Sequence, residues 1–422
     1  MSFFDRHRIF LYQHYLLYAI VFLIPIYPRI VPLFIVLFGG LSIFAMVKGY
    51  SRAEMSEVSI LLLMFFFLHL IGMFYTENTT RGWFDVEVKL SLMAFPLVFV
   101  GFRFVNTTNF NRTLRMFLYG TVTATLYCIA QSAYKVFWLD MKYFHFITSR
   151  FSVTVHQSYF ALYLIFAMVI LAYLEWPLVK KDKKRTLVNV LIIITLSVSV
   201  LLTGSKSGFI MWAVIALGLT GVFVREMKHK WIPILGLTVL MSIMGAIFQG
   251  APLLQSRITN MLEVAQKDEV NPESTESTAV RYLVYSSTFE VLRSQDWFGQ
   301  GTGDFQDVLD DIYNEKGYTS AAEEHLNAHN LFLQSWISLG IPGLIIVLGI
   351  FLVMTVQAIR NQDALLLGFT ALFFILSMTE STFNVQAGVV FFSFFTVFLA
   401  RRSGSKGVLS AEEESDESER LT

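Results

Sequence analysis

Residues 323–344 read "EEHLNAHNLFLQSWISLGIPGL", a passage from acids, histidines and asparagines into an apolar run. The apolar part continues to about residue 358, longer than the roughly 20 residues that a helix needs to cross a bilayer's hydrocarbon. His325, Asn327, His329 and Asn330 therefore stand at the threshold of an expected span rather than inside a soluble core. The rest of the chain supports that reading. It is 55% hydrophobic and only 15% charged, where an ordinary soluble domain carries about 25% charged residues.

Further runs of this kind fall at about 9–28, 30–47, 57–75, 87–104, 114–137, 155–175, 186–203, 208–224, 231–249, 364–381 and 385–400. With 329–358 they predict an all-α polytopic membrane protein of about 12 transmembrane helices. The start of the chain lacks a small-residue cleavage site, so its first apolar run is read as a retained span. Lysine and arginine gather in "KGYSR", "VKKDKKR", "REMKHK" and "RRSGSK", all on one side if both termini are cytoplasmic. Residues 1–249 then hold nine spans, 250–328 form a large periplasmic loop with amphipathic helices, and 329–402 hold three more spans. Residues 403–422 are acidic with few apolar side chains, which predicts a disordered cytoplasmic tail. Lys+Arg and Asp+Glu both number 32, so net charge gives no argument for nucleic acid, and the single cysteine excludes an internal disulfide.

Ionisable residues at span ends are costly and mark function. On the expected outer side lie Arg81, Asp85 and Glu87, then Arg150 and His156, Lys206, Arg281 and Arg293, His329 and Glu380. Arg81, Arg293 and Glu380 are also explained by charges reaching for lipid headgroups. Lys206 is harder to explain that way. It sits in "LLTGSKSGFIMW", where glycines permit a sharp turn, Ser205 and Ser207 can cap the next helix, and a cation at a helix N-terminus calls for a shared anion. His329 and Asn330 open the tenth span, the one as a titratable group and the other as a cap. His325 and His329 have ligand-like spacing, yet the pattern is not H-E-x-x-H, and we expect neither a metal nor another cofactor. "GQGTGD" lacks nucleotide-loop spacing and is read as a turn.

Four stretches, "RFSVTVHQSYFALYL", "LLTGSKSGF", "AVRYLVYSSTFEVLRSQDWFGQGTGDF" and "AHNLFLQSWISLGIPGL", together resemble the O-antigen ligase family, in matching order over roughly residues 150–345. The resemblance implies a bacterial inner-membrane glycosyltransferase working at the periplasmic face. Its donor is a glycan on undecaprenyl diphosphate and its acceptor is lipid A-core. It also implies an essential histidine at His329, an essential arginine at Arg281, and a second arginine where this chain has Lys206. Lysine keeps that charge but loses the planar fork that grips phosphate oxygens in pairs.

The chemistry is consistent with these residue types. A diphosphate leaving group needs fixed cations, and a sugar hydroxyl needs a base, for which a histidine with an ordinary pKa near 6.5 is suited. His329, Arg281 and Lys206 form the expected catalytic set; Arg150, His156, Asn330, Ser205 and Arg81 are expected to contact substrate. Three alternatives use the same chain differently: a repeat-unit polymerase with the same donor, a lipid-linked glycan flippase or transporter, and a metal-dependent transferase built on Asp85 or Glu87. A transporter would place polar groups or broken helices near the bilayer midplane, whereas these spans are largely clean in the middle.

Overall fold

The computed structural model describes residues 5–51, 55–102, 107–175, 182–265 and 270–402, and among them it contains helices, turns and no strands. The expected tail, 403–422, lies outside the described residues, as does part of the basic run at 179–185.

The long helices are α1 (Arg6–Leu23), α2 (Val31–Val47), α3 (Glu57–Gly72), α4 (Thr79–Val100), α5 (Thr107–Ala133), α6 (Gln157–Glu175), α7 (Lys183–Thr203), α8 (Lys206–Glu226) and α9 (Trp231–Gln249). The expected loop contributes α10 (Pro252–Ala265), α11 (Ser277–Ser294), α12 (Phe305–Lys316) and α13 (Thr319–Glu323). Then come α14 (Leu331–Arg360), α15 (Ala364–Ser377) and a last helix, α16, over 386–402. Every expected span thus meets a helix. Seven helices among the described residues are long and apolar enough to cross a membrane: Pro28–Val47, Glu57–Tyr75, Gln157–Glu175, Lys183–Thr203, Lys206–Glu226, Trp231–Gln249 and Leu331–Arg360. Against the expected twelve, α15 is apolar but shorter, and α4 and α5 carry charged residues along their length.

The chain divides into two compact units. One comprises Met1–Ile9, Gly39–Arg103 and Lys267–Thr422; the other comprises Phe10–Phe38 and Phe104–Gln266.

In the first unit α14 packs against α3 and α15. Phenyl rings make much of this core: Phe351 and Phe374 meet edge to face, Phe332 leans on both at a tilt, and Phe373 meets Phe392 of α16 at a tilt with centroids 4.4 Å apart. Two buried hydroxyls of α14 are satisfied by their own helix, Ser335 donating to Leu331 O and Ser338 to Gln334 O, which suits an environment without water. Within the stretch expected to form the loop, α11, α12 and α13 enclose an apolar core of their own. Val280, Val284, Leu309, Tyr313 and Ala321 pack with Ile337 of α14. Burying a side chain such as Leu309 stabilises by about 1.5–3 kcal/mol.

α14 is broken. Gly340 has φ 68° and ψ −159°, and Pro342 follows two residues on. Proline has no N–H, so Ser338 loses the donor four residues ahead of it. The glycine-rich loop supplies replacements: Gly301 N donates to Ser338 O at 3.0 Å and Gln300 N to Ile337 O at 2.9 Å, while Ile341 N donates to Trp297 O at 2.9 Å. A Cβ at Gly340 would collide with the Trp297 carbonyl. The two glycine motifs, "GQGTG" and "LGIPG", are therefore halves of one device.

One boundary moves. Asp85 and Glu87, expected ahead of the fourth span, lie inside α4, which begins at Thr79, where Asn78 caps it by accepting from Arg81 N. Asp85 is buried inside the helix because Lys89, one turn on, donates to both of its oxygens at 2.6 Å. His69 Nε2 lies 3.8 Å from the same carboxylate.

In the second unit α6 is almost wholly buried and packs against α5, α7 and α8. α7 ends on Gly204 in the left-handed region (φ 61°), and α8 starts two residues later.

Candidate active site

His329 has a left-handed backbone, φ 45°, which is uncommon and costly for a residue with a side chain. Four neighbours hold it there. Asn327 Oδ1 accepts its N–H at 3.0 Å, and its carbonyl accepts from the Tyr285 hydroxyl at 3.2 Å. Gln334 Oε1 accepts from Ala328 N at 3.0 Å, anchoring the preceding residue. Asn330 caps α14, its Oδ1 accepting from Phe332 N and Leu333 N, while its amide donates to Met378 O at 3.1 Å. The cap expected at Asn330 is thus present.

The side chain of His329 is 21% exposed, and its Nδ1 is buried with no hydrogen bond, 3.6 Å from Glu380 Oε2. The other oxygen of that carboxylate accepts from Arg281 Nη2 at 2.8 Å, Arg281 being 26% and Glu380 9% exposed. Tyr285 lies one helical turn after Arg281 and also donates to Met378 O at 3.3 Å. Burial pushes the Tyr285 hydroxyl pKa up, so it serves as a neutral donor. An imidazole, a guanidinium and a carboxylate within 3.6 Å of both are thus gathered within one unit. Such a carboxylate orients an imidazole and leaves Nε2 for a reacting proton.

Glu380 was read above as a headgroup charge; the structure gives it the central position. Arg81, expected to meet substrate, is paired with Asp307 and lies 3.8 Å from Asp310, joining α4 to α12. His325 is not in one helix with His329: it has φ 48° and pairs with Asp310 at 2.7 Å. Among the described residues no group of three or more His, Cys, Asp or Glu could hold a metal ion.

Lys206, Ser205, Arg150 and His156 belong to the second unit. Lys206 is the first residue of α8, and Ser205 caps it by accepting from Gly208 N at 3.1 Å; Ser207 bonds to Ser205 at 3.1 Å. A Cβ at Gly204 would come within 3.1 Å of Thr148, so the turn abuts the short helix Thr148–Arg150. The Arg150 guanidinium lies over the Phe144 ring at 4.1 Å, a cation–π contact that fixes its direction. His156 directly precedes α6. Lys206, Arg150 and His156 thus share one end of that unit.

Residues 191–348, from α7 into α14, match the family model for O-antigen ligase. This stretch is similar to the O-antigen ligase family. It includes Lys206, Arg281 and His329, whereas Glu380 lies beyond it. Such domains belong to membrane glycosyltransferase-like ligases and polymerases, and with seven candidate spans the chain is a multi-pass membrane protein. No curated protein matches the chain.

Proposed function

We propose that this chain moves a preassembled glycan from undecaprenyl diphosphate to a hydroxyl of lipid A-core, at the periplasmic face of the bacterial inner membrane. The observation that carries the proposal is the meeting on Glu380, at 2.8 and 3.6 Å, of Arg281 and His329, two residues of the stretch that matches the O-antigen ligase family model. His329 Nε2 takes the proton of the acceptor hydroxyl as its oxygen attacks the anomeric carbon. The bond from that carbon to the diphosphate breaks, and undecaprenyl diphosphate leaves with the electron pair. His329 then gives its proton to water. Arg281 and Lys206 hold the diphosphate while its charge grows, a form of stabilisation whose loss costs on the order of a hundredfold per donor or more. Lys206 acts as a point charge at the start of α8. Arg150, His156, Ser205 and Asn330 line the approach of the substrates, and Arg81 braces α4 against α12. No step requires a metal.

The test is reconstitution in vesicles with an undecaprenyl-diphosphate glycan and two acceptors, lipid A-core and a second lipid-linked glycan. Extension of lipid A-core by the wild type and not by His329→Ala supports the reading. Extension of the lipid-linked glycan instead identifies a repeat-unit polymerase with the same donor. Movement of the donor across the bilayer without transfer identifies a transporter, and normal transfer by His329→Ala removes the base.

A further inference from the structure

We infer that Glu380 is a positioning residue that couples donor binding to activation of His329: a diphosphate taking the Arg281 guanidinium releases the carboxylate to close on Nδ1 of His329. This rests on the function proposed above.

The carboxylate is buried and faces its two neighbours unequally. Oε1 is hydrogen-bonded to Arg281 at 2.8 Å, whereas Oε2 stops at 3.6 Å from His329 Nδ1, beyond the 2.7–3.2 Å of an N–H···O bond. His329 Nδ1 is shut off from solvent and makes no hydrogen bond. A buried polar nitrogen left unbonded is costly, so the resting arrangement favours Arg281 at the expense of His329.

A diphosphate changes that balance. Its oxygens match the guanidinium fork better than a single carboxylate oxygen does, and its charge repels Glu380 from the arginine. His329 becomes cationic as it takes the acceptor proton, which draws the carboxylate to it. The Glu380 backbone stays in place: its N–H donates to Leu376 O and its carbonyl accepts from Thr382 N, both at 2.9 Å. Rotation of the side chain is enough to close the gap. The charged or titratable groups facing His329 are Glu380, from the turn after α15, and Arg281 and Tyr285, from α11.

The experiment uses the full-length protein in lipid nanodiscs. Glu380→Gln is expected to lower kcat at least roughly tenfold, the loss of a carboxylate that orients a general-base histidine costing up to about 10⁴-fold. Donor KM should stay level or fall, because a competitor for Arg281 has been removed. Glu380→Asp should recover part of kcat, because it restores a carboxylate beside the imidazole. A donor KM that rises with the loss of kcat, or no recovery in Glu380→Asp, would assign Glu380 to mere support of Arg281 and overturn the proposal. A second measurement needs no variant of Glu380. In 15N-histidine spectra, undecaprenyl diphosphate without glycan should shift the His329 Nδ1 resonance in the wild type but not in Arg281→Ala. An absent shift in the wild type sinks the coupling. Full activity of His329→Ala would instead fail the underlying function, so the two failures are distinguishable.

Discussion

The Tyr285 hydroxyl donates to the His329 carbonyl at 3.2 Å, tying the residue with the left-handed backbone to the helix that carries Arg281. The imidazole and the guanidinium are thereby set by one rod. Tyr285→Phe keeps the ring and removes this bond together with the one to Met378 O. Each such bond contributes about 0.5–1.5 kcal/mol net. We expect the melting temperature to fall by a few degrees while turnover drops severalfold, measured on the same detergent-purified sample. Unchanged turnover would mean that His329 holds its conformation without Tyr285.

His329→Gly should be inactive yet no less stable than His329→Ala, because glycine adopts φ 45° without strain and alanine does not. It leaves room for a free imidazole beside Glu380. Added imidazole should restore part of the turnover, in proportion to its unprotonated fraction. No rescue at any concentration would count against proton transfer at this position.

Lys206→Arg should preserve or raise activity, because the fork adds a second bond to phosphate on the same N-terminal turn of α8. Lys206→Ala should raise donor KM with little change in thermal stability. Equal donor KM across wild type, arginine and alanine would remove Lys206 from the diphosphate site.

Gly340→Ala puts a Cβ against the Trp297 carbonyl and forces alanine to φ 68° and ψ −159°, a region essentially open only to glycine, which alone costs about 1–3 kcal/mol. We expect the loop 297–303 to detach, seen as protease cleavage there and a lowered melting temperature. Wild-type resistance to protease would show that the loop does not depend on the break in α14.

Much of the helix layout is legible in the sequence, because apolar length and basic connections are local signals. The caps at Asn330 and Ser205 and the turn at Gly204 were also readable, each from a few neighbouring residues. Glu380 was not. A charge at the end of an apolar run has a ready explanation, and its partners are 99 and 51 residues away (380 − 281 and 380 − 329). Asp85 and Lys89 were obscured differently: the burial of an i,i+4 pair disguises charges as interior, so the span was started too late. The glycine motifs were each visible, but that one completes the hydrogen bonding of the other is a non-local fact.

The break at Gly340 also leaves the first turns of α14 held from two sides. Ile337 packs in the apolar core of α11–α13, while Phe332 packs against Phe351 and Phe374. His329, just ahead of these turns, is therefore clamped between α11 and the end of α15. The Met378 carbonyl, which accepts from both Asn330 and Tyr285, is the rivet that keeps imidazole, guanidinium and Glu380 in register.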